Sequence, residues 1–366
     1  MSNYPRVADP LCCCEYIDKD GRRNHILACC CNCLDKAVDN ICCCRNDGGP
    51  SCDRVLLSMM DRLRFPWLGG AHLISCDVLL PMVILPPLFA FAALDFTCTV
   101  IAFLLVPCFL ALQLKRGYFR FLKSSKFFVS WTYCSFALIF LIYEFLVVPF
   151  LEISPEENWV VILSFWATIG LIVKVQTTKD YHIKHDVESV GSLSSTKTIS
   201  TCEACGCYIS PRMAHCAICQ KCVSGRELHC LFGCCIGSHN LRWFMICLVL
   251  MTFNLLYSSN LILTTVCRPY RVFGSVLLPE DCSEVYYEFK FGLSFVSGLY
   301  SLIMSVISTF SLLRQCLLIS LGLTGNEWRT LPLPNILCLG ISAPRPYSHG
   351  ILKNWFYFCV RCRNQQ

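Results

Sequence analysis

Charge is what this sequence has little of. Asp, Glu, Lys and Arg make up 15% of its 366 residues, against about 25% in an ordinary soluble domain. Apolar residues take 55%. That balance excludes the two or three water-soluble domains that such a length otherwise suggests. The first residues lack the apolar core of a secretory signal peptide, because Arg6, Asp9 and Glu15 interrupt them. Membrane insertion is therefore expected to use internal segments. No repeat recurs at a solenoid period, which excludes a stacked array. No dense basic or aromatic stripe is present either, so nucleic acid is not an expected partner.

Cysteine, by contrast, is abundant, with 31 residues and a modest net charge of +6 around them. The chain is neither small nor secreted, so a disulfide framework is not the expected reading. The cysteines cluster at Cys12 to Cys14, Cys29 to Cys33, Cys42 to Cys44 and in a block from Cys202 to Cys235. Adjacent cysteines serve separate disulfides poorly. In a reducing cytosol such clusters bind metal or carry lipid. For the three N-terminal clusters, reversible acylation is preferred over a further metal, since His25 is their one nearby histidine.

Hydropathy divides the chain into five regions. Residues 1–65 read as a cytosolic cysteine-rich tail with little core of its own, Ser51 to Leu63 forming a short amphipathic helix. Residues 66–175 hold four transmembrane helices. The run from Val78 to Leu114 carries one charge, Asp95, and overshoots the roughly 20 residues that cross a bilayer core. A hairpin of two short spans turning near Asp95 costs less than a carboxylate at the membrane centre. The third and fourth spans follow at about Phe127 to Leu151 and Trp159 to Val173. Residues 176–240 form a cytosolic linker and cysteine-rich module. Residues 241–313 hold two more spans, Phe244 to Val266 and Phe291 to Leu313, joined by a luminal loop in which a Cys267–Cys282 disulfide is plausible. Residues 314–366 return to the cytosol. The basic loops, Lys115 to Lys126 and beyond Lys174, set this orientation by the positive-inside rule, and both termini then share the cytosolic side. The expected fold is an all-α polytopic membrane protein of about six helices with a small cytosolic module binding two zinc ions.

The block reads CEACGCYISPRMAHCAICQKCVSGRELHCLFGCCIGSHN. Zinc takes four ligands in a tetrahedron, and two cysteines two residues apart present both thiolates from one tight knuckle. Two interleaved Cys3His sets can be drawn: Cys202, Cys205, His215 and Cys222, then Cys216, Cys219, His229 and Cys235. Cys207 and Cys234 are left over, and Cys234 could replace Cys235. Cys230 is left without a metal to hold. Each set carries about −1 net, so the metals fold the module without acidifying Cys230.

This pattern resembles the DHHC cysteine-rich domain of protein S-acyltransferases from Cys202 to Phe244, with CIG-x2-N-x3-F continuing it. DPLCCCEYIDKDGRRNHI, DRLRFPWLGGA (Asp61 to Ala71) and ILKNW (Ile351 to Trp355) are similar to a single branch of that family. The resemblance implies two-step acyl transfer. Cys230 attacks the thioester of a long-chain acyl-CoA, and the acyl-enzyme passes the chain to a cysteine of a client protein. Membrane lipids, acyl-CoA and clients are the implied partners, with the endoplasmic reticulum or Golgi preferred over the plasma membrane.

Four departures matter. Asp-His-His-Cys is here Glu227-Leu228-His229-Cys230: the family's zinc ligand is kept, and Leu228 replaces its general base. Phe232 stands for a Trp, with one residue missing before Cys235. Thr324-Gly325-Asn326-Glu327 stands for Thr-Thr-x-Glu, and no Asp-Pro-Gly precedes the module. Losing a general base costs typically 10²–10⁴-fold, while an unperturbed thiol is still a few per cent thiolate at neutral pH. A slow enzyme is therefore expected, with an inactive scaffold that binds acyl-CoA or clients as the alternative. Arg212, Lys221 and Arg226 are expected to face lipid phosphate, and His239 to be a polar helix-start residue.

Overall fold

A computed structural model describes residues 12, 14–17, 23–25, 64–66, 70–73, 76–105, 107–108, 125–150, 152–178, 200–209, 212–272, 277–330 and 347–361. The expected Ser51–Leu63 helix, the cysteine clusters at 29–33 and 42–44, most of the 115–126 loop and most of the 187–201 linker lie outside them.

The chain divides into two compact units, Met1–Val83 and Ile84–Gln366. In the first, strand β1 (Glu15–Ile17) pairs antiparallel with β2 (Arg23–His25), and β3 (Arg64–Phe65) with β4 (His72–Leu73). The Arg64 guanidinium lies 3.9 Å from the centre of the Tyr16 ring, and Tyr16 is buried. Tyr16 and Ala71 are buried apolar residues of this unit, in keeping with a tail expected to have little core of its own.

Helix α1 (Cys76–Ala92) is apolar beyond Asp77 and ends shortly before Asp95, which caps the short α2 (Phe96–Val100), its carboxylate accepting from the Thr97 amide. In the second unit Leu85, Phe89 and Ala92 share one cluster with Ala102 beyond the turn, so the break falls at the expected carboxylate. Helix α3 (Ser125–Ile142) runs on as a π-turn to Val147. Helix α4 (Pro155–Thr177) opens on a capping box between Ser154 and Glu157. Helix α5 (Leu241–Val266) and α6 (Phe289–Leu321) complete the bundle. Among the described residues four helical stretches are long and apolar enough to cross a membrane: 126–150, 155–177, 241–266 and 289–321; α1 is a shorter apolar helix. Their outer faces expose Phe145, Leu163 and Phe310, which lipid accommodates and water does not.

Between helices the contacts use small and polar side chains. Ser294, Ser297, Ser301, Ser305 and Ser308 form a buried stripe on α6. Ser259 Oγ donates to the Gly298 carbonyl at 2.9 Å, and Asn254 Nδ2 to Ser164 Oγ at 2.6 Å. A side chain at Gly298 would press on Ile262 and Leu263 at 3.0 Å. Close backbone approach and interhelical hydrogen bonds of about 0.6 kcal/mol each replace the hydrophobic drive that lipid removes.

Helix α6 runs eight residues past the expected end at Leu313. At 1.5 Å per residue its 33 residues reach roughly 50 Å, well beyond a 30 Å bilayer core. The surplus turns carry Arg314 and Gln315 up against the cysteine-rich module. Cys267 and Cys282 are disulfide-bonded across the base of hairpin β11 (Arg268–Arg271) and β12 (Leu277–Asp281).

Candidate functional site

The module from Ser200 to Ile236 is built of two-stranded pieces: β5 (Ser200–Thr201) with β6 (Tyr208–Ile209), β7 (Met213–Cys216) with β8 (Lys221–Ser224), and β9 (Leu228–His229) with β10 (Cys235–Ile236). A small buried cluster within it joins Val223 to the sulfurs of Cys216 and Cys235. Turns therefore do the positioning. Gln220 takes φ 53° and its amide donates to the Cys216 carbonyl at 2.8 Å; Gly206 takes φ 67° and does the same to Cys202.

These turns gather two sets of four. The ligand atoms of Cys202, Cys205, His215 and Cys222 lie within 4.8 Å of one another, as do those of Cys216, Cys219, His229 and Cys235. In the second set His229 Nδ1 is 3.4 Å from Cys219 Sγ and 3.6 Å from Cys235 Sγ, and Cys219 and Cys235 sulfurs are 3.4 Å apart. In the first, His215 Nδ1 is 3.1 Å from Cys205 Sγ and 3.9 Å from Cys222 Sγ. Bonds of 2.3 Å from zinc to sulfur give tetrahedron edges of about 3.8 Å, close to these spacings. Burial, then the neighbouring sulfurs, pushes the Cys222 and Cys235 thiols far up. Such packed thiolates need a divalent cation, so the donor chemistry fits zinc. Cys235 stands in the second set and Cys234 outside it.

Strand alternation decides what faces what. His229 and Cys235 are register partners on the side of the second set, while Leu228 and Ile236 pair one step along and point to the other face. Cys230 shares the face of Leu228. It is buried in a cluster with Phe232, Ile236, Phe244 and Cys247, and it lines a cavity of about 310 Å³ between α3, α5 and α6. Along α5 the cavity runs from Phe244 to Leu255, about 17 Å of helix and roughly half a bilayer core. Apolar side chains, among them Met251 and Met304, line its length; Ser135 and Tyr300, 2.8 Å apart through their hydroxyls, lie at the far end. Arg314 and Arg329 line it at the Cys230 end. His239 is not among the lining residues.

Burial pushes the Cys230 thiol up to about 12, only partly opposed by the Phe232 and Leu231 amides. The few per cent thiolate expected of a free cysteine at neutral pH is thereby cut to a trace. Leu228 supplies no acceptor for the proton. The loop itself is tied down: Gln176 Nε2 donates to the Phe232 carbonyl at 2.8 Å, and buried Asn240 donates to the Val175 and Cys235 carbonyls at 3.3 and 3.0 Å.

Glu227 has a different task from orienting a base. Its carboxylate accepts the Gly325 amide at 2.6 Å, at the start of α7 (Gly325–Thr330). Burial pushes the carboxyl up to about 7, with that amide, Gln315 and Arg212 opposing. Arg212 donates to both Glu327 oxygens at 3.0 and 2.9 Å and to the Gly322 carbonyl at 2.9 Å. Arg226 donates to the His215 carbonyl at 2.6 Å. Arg212 and Arg226, expected at lipid phosphate, thus hold the module to the α6–α7 junction and to itself. Helix α8 (Ile351–Arg361), which carries ILKNW, docks there too, Asn354 Nδ2 donating to the Ser320 carbonyl at 2.9 Å.

The missing threonine at Gly325 makes physical sense in this setting. A Cβ there would lie 2.2 Å from the Glu227 carbonyl oxygen. Gly325→Ala is expected to destabilise the module by roughly 1–3 kcal/mol, the usual cost of overpacking, measurable as a lower detergent-phase melting temperature. An unchanged melting temperature would remove this contact from the account.

A family profile for the DHHC palmitoyltransferases matches residues 195–331, which cover the module, both following helices and α7. Over those residues the chain is similar to this family. Palmitoyltransferase ZDHHC23 of Rattus norvegicus is 27% identical over 403 residues, covering 96% of this chain and 93% of its own. Palmitoyltransferase ZDHHC23-B of Danio rerio is 29% identical, covering 99% and 96%. Palmitoyltransferase erf2 of Schizosaccharomyces pombe is 29% identical over 130 residues, 35% of each chain. The similarity to the ZDHHC23 branch thus extends over nearly the whole chain.

Proposed function

We propose that this protein is a protein S-acyltransferase in which Cys230 carries a long-chain acyl group from acyl-CoA to cysteines of client proteins, slowly because residue 228 is leucine. The observation that carries the reading is the position of Cys230, a thiol outside both metal sets, at the head of a deep apolar cavity with arginines beside it. The acyl chain lies along α5, and Arg314 and Arg329 favour the anionic CoA end. The Cys230 sulfur bonds to the acyl carbon, the CoA sulfur leaves with the electron pair and is protonated, and the thiol proton departs to water. A client thiol then displaces Cys230 in the same way.

The two Cys3His sets hold structural zinc: Cys202, Cys205, His215 and Cys222, and Cys216, Cys219, His229 and Cys235. Zinc supplies cross-linking of the turns and no step of the transfer. With the hairpin at Asp95 counted as two spans, the helices number six. Both termini and the module then lie in the cytosol, in the endoplasmic reticulum or Golgi membrane, with cytosolic or membrane-bound clients in reach.

One observation favours a second reading, a scaffold that binds acyl-CoA or clients without turnover: Cys230 is buried, which raises its thiol, and the neighbouring Leu228 can take no proton. Labelled palmitoyl-CoA incubated with the purified chain and with Cys230→Ser separates the two. A hydroxylamine-sensitive label on the wild type, absent from Cys230→Ser, is expected. Equal labelling of both, or none of either, would favour the scaffold.

A further inference from the structure

Cys234 has no part in the metal sets or the cavity lining, yet the fold places it opposite Cys230. The β9–β10 register pairs His229 with Cys235 and Leu228 with Ile236. The next pair outward is Cys230 with Cys234, and the Cys230 amide donates to the Cys234 carbonyl at 2.9 Å. Leu231, Phe232 and Gly233 close the hairpin. Gly233 takes φ 76°, the left-handed closing position of a three-residue hairpin loop, and its amide donates to the Cys230 carbonyl at 3.1 Å. Directly opposed residues joined by ladder hydrogen bonds have Cα atoms about 5.5 Å apart and side chains on one face. That spacing falls in the middle of the range a disulfide spans. Both cysteines pack with the same cluster, and neither is bonded. Cys235, next in sequence, points to the opposite face and into the second metal set.

We propose that Cys230 and Cys234 form a reversible disulfide with a small oxidising disulfide such as glutathione disulfide, blocking the acyl-carrying thiol while both metal sets stay intact. Cys234 is half-buried and Cys230 buried, so the order of steps follows exposure. The Cys234 sulfur bonds to one glutathione sulfur, displacing the other as a thiol. The Cys230 sulfur then attacks Cys234 and displaces the second glutathione. Two thiols lose two protons and two electrons, and one glutathione disulfide becomes two glutathione molecules. Cys247 also lies near Cys230, but it is fully buried on α5 and out of an oxidant's reach.

The block on acyl loading rests on the function proposed above; the cross-link does not. The test treats the full chain in detergent with glutathione disulfide, alkylates it under denaturing conditions and sequences the tryptic peptide from Glu227 to Arg242 by mass spectrometry. The expected peptide has lost two hydrogens, carries one alkyl group on Cys235 and comes from protein that keeps its zinc. Loss of the acyl label on oxidation, its return with dithiothreitol and its insensitivity to oxidant in Cys234→Ser are expected alongside. Cys234→Ala serves if the serine variant loses zinc. Three alkylated cysteines after oxidation, a bond to Cys235 or Cys247, or zinc release before any bond forms would overturn the proposal. An internal disulfide in a protein that never takes up an acyl group would leave the cross-link standing and sink the transferase reading instead.

Discussion

Leu228→His is expected to raise the rate of acyl loading on Cys230 by about 10²–10⁴-fold, the usual worth of a positioned general base. The reasoning is geometric. Residues 228 and 230 are two apart on an extended segment and so project to the same face, both into the cavity. An imidazole at 228 would stand beside the sulfur whose proton is costly to remove, since burial raises the Cys230 thiol to about 12. His229 cannot take that role from where it is, because its Nδ1 faces three cysteine sulfurs. A gain near the lower end of the range is expected, because Glu227 is held by the Gly325 amide and is not free to orient the new ring. Leu228→Asn, polar but not basic, should give no gain. Initial rates of labelled palmitoyl-CoA incorporation at one pH decide the matter, with zinc content as the control for folding. A histidine variant that keeps its zinc and loads no faster would mean that some group other than residue 228 limits the proton transfer.

Much of this site was legible in the sequence, for physical reasons. Zinc ligation needs thiolates two residues apart on tight turns, so the spacing of Cys202 and Cys205, and of Cys216 and Cys219, carries the ligand sets almost unaided. The cost of a carboxylate in lipid places the helix break at Asp95. What stayed hidden are contacts between distant segments. Arg314 reads as the charged end of a span, yet the helix continues to Leu321 because the module covers its polar side chains. Glu227 reads as an orienter without a base, and its partner, the Gly325 amide, lies 98 residues away. The pairing of Cys230 with Cys234 depends on where the hairpin turns, and the missing residue before Cys235 signals a changed turn without revealing which side chains it opposes.

Removing zinc is expected to abolish acyl loading altogether and to unfold the module while the helical bundle persists. Strands of two to four residues supply few ladder bonds, and two-stranded hairpins are marginal in water by themselves. The small cluster within the module joins Val223 to sulfurs. Structural zinc, by contrast, contributes on the order of 10–16 kcal/mol per site at neutral pH. The two sets are also interlocked: His215 and Cys216 are neighbours on β7 but belong to different sets, and His215 is register partner to Cys222 across β7–β8. Loss of one metal should therefore loosen the other. Cys219→Ala is expected to lower the zinc content from two per chain to one or none and to expose the Arg212 and Arg226 bonds to trypsin. Cys205→Ala, at the exposed cysteine of the first set, should lose its own metal and weaken the second. Metal analysis, limited proteolysis and palmitoyl-CoA loading on the same samples test this, and a zinc-free protein that still loads Cys230 would show that the turns hold their shape without the metals.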